Sequence, residues 1–312
     1  MNSHCCLRGG SHAGLLRTSL RHLPLLFLIV AGFCTFDPTL LPAQELPYFV
    51  TYSHQMEEPG SLEIEIKSAA GRAAESNRFL ANAVELEYGT RAWWTSELYL
   101  ESQSTAHEST VCTGFRFENR IRPLLREHIL NPVLYFEFED INGANKSLLE
   151  VVGHDGESDL SANNRETRRE KKREVELKLI LSSNLGGWNL SENVIAEKNV
   201  RHAPWEFGYA LAASRPLRLV GSAHPGFLSS QNFAAGAEMY GGLGDKDSFG
   251  IQNTSHYFGP TVNWSVPNGP TISFSPNFGL NDNSFARIYR FRIGYEIGQL
   301  SRLFHSREEG LR

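Results

Sequence analysis

From residue 61 onward, apolar and polar residues alternate in short runs separated by turn-forming residues. The clearest run is 285–298, where Phe285, Arg287, Tyr289, Phe291, Ile293, Tyr295 and Ile297 fall on one side. Ala286, Ile288, Arg290, Arg292, Gly294, Glu296 and Gly298 fall on the other. A period of two sends the two sets to opposite faces of a β-strand. The same period sets Leu62, Ile64 and Ile66 against Glu63, Glu65 and Lys67, and Val84, Leu86 and Tyr88 against Glu85 and Glu87. Leu98 and Leu100 oppose Glu97, Tyr99 and Glu101, and Phe115 and Phe117 oppose Arg116, Glu118 and Arg120. Leu134, Phe136 and Phe138 oppose Tyr135, Glu137 and Glu139, and Val175, Leu177 and Leu179 oppose Glu174, Glu176 and Lys178. Two more clear runs lie at 205–212 and 271–280, and weaker ones at 188–197, 232–240 and 257–266 sit between turn signals. The pattern predicts about twelve strands, with ten to fourteen compatible. Residues 217–228 fit strand, bulge or loop, 121–129 suit a short helix, and 44–60 read as a lead-in or an extra strand.

Connections between these runs alternate in length. Tight turns are expected at 89–92, 184–187 and 267–270, and long connections at 69–77, 142–173 and 241–254. Counting from Leu62, the tight turns share one end and the long connections the other, as in bacterial transmembrane barrels with short periplasmic turns and longer outer loops. The fold class expected is therefore all-β: a closed antiparallel transmembrane β-barrel over 61–298, with a polar C-terminal tail at 299–312.

Composition narrows this only where it excludes. The 312-residue chain is 41% hydrophobic with a net charge of −5, which points away from nucleic acid and from a bundle of membrane helices. A barrel is compatible with such a composition, because only alternate residues face lipid. At the N-terminus, Arg8, Arg17 and Arg21 precede an apolar stretch at 23–36, and Ala43 suits a cleavage site. This predicts a signal peptide over 1–43 that is removed, since the stretch is short for a membrane-spanning helix. Of the four cysteines only Cys112 lies beyond it, so the mature chain has no internal disulfide framework.

A soluble β-protein, secreted rather than inserted, also alternates but turns its apolar face inward. Two features favour lipid outside. Trp93, Trp94, Trp188, Trp205, Phe258, Trp264 and Tyr289 lie toward segment ends, as interfacial aromatic girdles do, and the polar face carries charge in strand after strand. The candidate lumen-lining residues are then Glu63, Glu65, Glu85, Glu87, Glu97, Glu101, Arg116, Glu118, Arg120, Glu137, Glu139, Glu174, Glu176, Arg290, Arg292 and Glu296. Barrel closure is expected to set Arg290 and Arg292 against Glu63 and Glu65. The excess of carboxylates favours cations over anions.

Three stretches, 84–101, 174–197 and 205–221, read as hairpins with glutamates on the inner face. They resemble a family of uncharacterised Gram-negative outer-membrane barrels, similar to transporter barrels and to the "MetA-pathway of phenol degradation" type. The resemblance implies fold and outer-membrane location, and implies no catalytic residue. One departure is the C-terminus: the last strand is followed by a polar tail, where barrels handled by the barrel-assembly machinery end on an aromatic residue.

The sequence supports passive passage or binding of a small solute through a charged lumen. The alternative is a plugged structural or surface-interaction barrel. The acidic and basic halves of 154–173 read as a solvated, mobile charge block, with docking on lipopolysaccharide phosphates, beside membrane lipid, as its sharper reading. Catalytic residues, cofactors and metal ligands are not indicated. Ser255-His256 is a bare pair, and His202, His224 and His256 lack ligand spacing. Residues 241–245 (GGLGD) resemble a phosphate loop superficially and read as a loop tip.

Overall fold

The computed structural model describes residues 46–72, 77–146, 163–201, 204–219, 226–298 and 300. The expected signal peptide and, Leu300 aside, the expected tail lie outside the described residues. Twelve strands form: β1 (Leu62–Gly71), β2 (Phe79–Arg91), β3 (Trp94–Thr105), β4 (Thr110–Ile121), β5 (Asn131–Asn142), β6 (Lys171–Leu185), β7 (Trp188–Asn199), β8 (Glu206–Pro216), β9 (Phe233–Asp245), β10 (His256–Ser265), β11 (Thr271–Gly279) and β12 (Arg287–Ile297). Each pairs antiparallel with its sequence neighbour, and β12 pairs back onto β1, so the sheet closes without an edge. A closed sheet satisfies its own backbone groups, which is the condition for crossing lipid with strands. No helix among the described residues is long and apolar enough to cross a membrane.

The alternation sorts side chains as the period of two requires. Outward positions stay exposed, among them Ile66, Leu100 at 54%, Leu134 at 53% and Phe136, while the glutamates beside them are buried within the barrel. This wall is inverted relative to a soluble protein. In water the outward face would leave a large contiguous apolar surface, whereas in a bilayer each large side chain recovers about 1.5–3 kcal/mol of transfer free energy. Trp93, Trp94, Trp188 and Trp264 gather at one end of the strands, with Trp93 stacked on Trp94 and Phe227 packed edge-on to Trp264 at 4.7 Å. Phe258, Phe278 and Tyr289 lie near the other end. The barrel therefore carries its aromatic residues at both lipid–water boundaries.

The β6–β7 turn holds Gly186 and Gly187 at φ +58° and +82°, the left-handed pair that a two-residue hairpin demands. Where β3 meets β4 a bulge shifts the register after Glu101. There Gly114 sits at φ +150°, against the Asp140 backbone, leaving no room for a side chain.

Several expectations are corrected. Residues 122–130 form an irregular connection with no helix. Of the three readings open for 217–228, the described residues 217–219 and 226–228 take the loop, followed by a 3-10 turn over Ser230–Asn232. Phe285 precedes the last strand and turns inward, 1% exposed, because β12 begins only at Arg287. Residues 241–245 are the end of β9 rather than a loop tip. The basic run is built into structure: α1 (Asn164–Thr167), capped by the Asn163 side chain, leads straight into β6, where Arg173 pairs with Asp140 at 2.8 Å. Residues 46–60 form no strand, and most of 47–54 is buried inside the barrel.

Candidate functional site

Strand register places like charges side by side on the inner wall. Glu296 pairs with Glu63, Glu63 with Glu87, Glu87 with Glu97, Glu97 with Glu118, Glu118 with Glu137 and Glu137 with Glu176. Glu176 then pairs with Glu197, Glu197 with Glu206, and Glu206 with Asp245. These positions form one continuous acidic row from β12 through β9. Because barrel strands are tilted, a row following the hydrogen-bonding direction climbs the lumen. It starts near the tight-turn end, at Glu63 beside the start of β1, and finishes at the long-loop end with Asp245 closing β9.

Directly opposed like charges are destabilising unless compensated. Basic residues inside the lower and middle rungs supply that compensation. Arg120 bridges Glu87 and Glu97, and Arg116 reaches Glu101 at 2.6 Å, Glu118 at 3.3 Å and Glu137 at 3.5 Å. Lys67 joins Glu65 and Glu85, and Lys178 lies 2.6 Å from Glu176. Aromatic rings lie under these cations: the Arg116 guanidinium is 4.3 Å from the Tyr99 ring centroid, and Lys178 is 4.1 Å from that of Tyr135.

Of the lumen-lining residues expected from sequence, Glu63, Glu65, Glu85, Glu97, Glu101, Arg116, Glu118, Arg120, Glu137, Glu139, Glu176, Arg290 and Arg292 are buried. Glu87 and Glu174 are half-buried, and Glu296, at the tight-turn mouth, is exposed. Closure brings only part of the expected ladder together. Arg292 approaches Glu65 at 3.4 Å, whereas Arg290 lies opposite Ala69 and donates to the Tyr240 hydroxyl at 3.2 Å. The reason is register: β1 and β12 pair so that Glu63 meets Glu296 and Lys67 meets Arg292.

The remaining wall has a different chemistry. Ser214, Asn263, Ser273, Ser275 and Asn277 are buried there without charge, and Tyr240 stacks on Tyr257 at 5.3 Å. An apolar knot of Val50, Phe79, Ala81, Ile195, Tyr240, Tyr257, Phe285 and Ile288 lies within the lumen. Sequence reasoning missed Lys67, Tyr99, Lys178, Glu197 and Glu238 as candidate site residues, though each stands on the polar phase of its strand. Ser255 and His256 do not form a nucleophile and base. Ser255 donates to the Asn283 carbonyl at 2.7 Å, while His256 Nδ1 lies 2.9 Å from the Tyr209 hydroxyl. His202 and His224 lie outside the described residues.

The segment 46–58 crosses this lumen. Three successive backbone N–H groups, of Phe49, Val50 and Thr51, donate to the carboxylate of Glu238 on β9 at 2.8–3.0 Å. Asn193 on β7 clasps Tyr52, accepting from its N–H at 2.6 Å and donating to its carbonyl at 2.9 Å. The Tyr48 hydroxyl donates to Asn189 at 3.0 Å and accepts from Ser214 at 2.9 Å, and the Tyr52 hydroxyl donates to Glu118 at 2.8 Å. His54 meets Ser182 at 2.8 Å and Glu127 at 2.9 Å. Arg120 donates to the Gln55 carbonyl, Glu57 N–H donates to Thr95, and Arg292 donates to the Leu46 carbonyl at 2.8 Å. Burial lowers the His54 pKa. Glu127 opposes that shift, and Arg122 adds to it. A small recess remains beside Phe49, lined by Lys67, Ser68, Ala69, Ala81, Ala83, Arg116 and Arg290.

No protein-family model and no curated protein matches the chain. Solved outer-membrane barrels are similar in outline. The KdgM porin in complex with disordered oligogalacturonate is 7% identical, with 76% of this chain and 98% of that one covered at a TM-score of 0.41. An outer membrane channel from Pseudomonas putida F1 is 14% identical, covering 78% and 97%, at 0.43. LpxR from Salmonella typhimurium is 11% identical, covering 75% and 99%, at 0.38. The chain's own geometry, rather than these likenesses, carries the functional reading.

Proposed function

We propose that this chain is an outer-membrane channel for small, preferentially cationic solutes, narrowed by its own N-terminal segment. The carrying observation is how that segment is held. Its backbone is bound by Glu238, Asn193, Arg120, Arg292 and Thr95, polar side chains of the wall, while Val50 and Phe49 make its apolar contacts. A net hydrogen bond of this kind contributes about 0.5–1.5 kcal/mol, and about 1.5–3 kcal/mol where one partner is charged, because water takes over when it opens. A hydrated lumen can therefore release and re-bind the segment clasp by clasp. The acidic row supplies the preference for cations, since rings of carboxylates repel anions from a narrow passage. The resemblance of the hairpins to transporter and phenol-degradation barrels agrees with a small solute and singles out no cargo.

The same segment favours a second reading, a plugged barrel with a structural role. Conductance of the purified full chain in planar bilayers separates the two. For a channel, Glu238→Gln raises conductance or opening frequency, because it weakens the acceptor for three N–H groups, and reversal potentials in a salt gradient show cation preference. If neither the wild type nor this variant conducts, while both keep heat-modifiable mobility, the structural reading stands.

A further inference from the structure

At the long-loop end of the acidic row the compensation by basic side chains runs out. Glu139 on β5, Glu174 on β6 and Glu197 on β7 each turn a carboxylate oxygen to a common point, all within 4.8 Å of one another. Register makes this necessary: Glu139 lies opposite Glu174, and Glu197 is one rung on, opposite Glu176 and Glu206. Glu139 is 7% exposed and has neither a hydrogen bond nor an ion pair among the described residues, and its carboxylate points into the cluster. Arg116, paired with Glu139 across the ladder, is committed to Glu101, Glu118 and Glu137. Lys172, on the inner phase of β6, is itself engaged in an interaction. Glu174 is oriented by Asn199, which donates to one of its oxygens at 3.1 Å.

A carboxylate this buried, with no such partner among the described residues, is costly when ionised. We propose that Glu139, Glu174 and Glu197 bind one divalent cation of the calcium class at the outer mouth of the lumen. The donor set is all oxygen, which suits a hard cation and excludes the softer metals that prefer sulfur or imidazole. Calcium holds oxygens at about 2.3–2.6 Å, so two ligands of one ion stand at most about 5 Å apart, and the three carboxylates already meet that limit. The ion ties β5, β6 and β7 together directly below the connections that leave them. This goes beyond the channel reading and holds whether or not the barrel conducts.

The test uses the full chain refolded into detergent free of lipopolysaccharide and stripped with a chelator. Calorimetric titration with calcium chloride is expected to give one saturable site per barrel. The thermal midpoint of the heat-modifiable band is expected to rise with calcium and fall with chelator. Glu197→Gln, and separately Glu139→Gln, should weaken calcium binding at least tenfold, whereas Glu296→Gln, an inner-row acid at the other mouth, should leave it unchanged. Absence of saturable binding to the folded wild type overturns the proposal, as does undiminished binding in a folded Glu197→Gln variant. Glu197 is the less buried of the two, so its variant keeps the test decisive if Glu139→Gln fails to fold.

Discussion

Single residues inside this barrel carry unusual loads. Arg116 serves three glutamates at once, and removing it leaves them opposed and uncompensated in a closed space. Loss of one partner from a buried charge set costs about 3–5 kcal/mol. Arg116→Met is therefore expected to lower the unfolding midpoint in urea, measured in lipid vesicles, far more than Arg165→Met on exposed α1. His54 works through protonation. It is bound between Ser182 and Glu127, with Asn184 alongside and Arg122 nearby, and its pKa is lowered in place. A histidine with a depressed pKa stabilises the docked segment above its ordinary value of about 6.5 and loses that contribution as pH falls through the lowered value. The segment should accordingly release more readily in acid, read as faster proteolysis within 46–58 at pH 5 than at pH 7.5, and His54→Gln should flatten that dependence.

At the scale of the strand, the period of two assigns each side chain its solvent. Leu177 stands outward near the middle of β6 and Glu176 beside it faces in. Arginine on the lipid face costs about 2–4 kcal/mol at the bilayer midplane, so Leu177→Arg should reduce the yield of folded, heat-modifiable barrel without altering conductance. The β3–β4 bulge is a second element-level device. It leaves Thr113 unpaired on β4 between Gly114, opposite Glu101, and Cys112, opposite Ser102, so that Thr113 and Arg116 are both buried on the inner wall, where Arg116 meets Glu101. Gly294 serves the facing strands similarly: a Cβ there would meet the Glu63 and Glu65 carboxylates at 2.6 and 2.8 Å. Gly294→Val should displace both acids and slow refolding into vesicles.

For the whole molecule, the closed sheet and the segment inside it are separable structures. The described strands close the wall by pairing with one another, and the segment adds side-chain clasps to it. Deleting 46–58 is therefore expected to leave a barrel with unchanged outer-membrane fractionation and intact heat-modifiable mobility. Its conductance should be larger than that of the full chain, and its thermal midpoint lower. A deletion that abolishes the folded band would show instead that the segment is an internal template for closure.

The alternation of residues determined an all-β wall of about twelve strands, the sense of their faces and hence which acids lie inside, because a strand has only two sides and lipid and lumen demand opposite chemistries. Tertiary structure alone decided which of those acids meet. Whether Glu63 faces Glu296 or Arg292 depends on the register at barrel closure, which joins residues more than two hundred positions apart and leaves no local signal. The same holds for 46–58. Tyr48, Val50 and Tyr52 alternate as a strand would, yet the sheet closes without them, and the segment's hydrogen bonds go to side chains of a lumen that exists only once β1 has met β12.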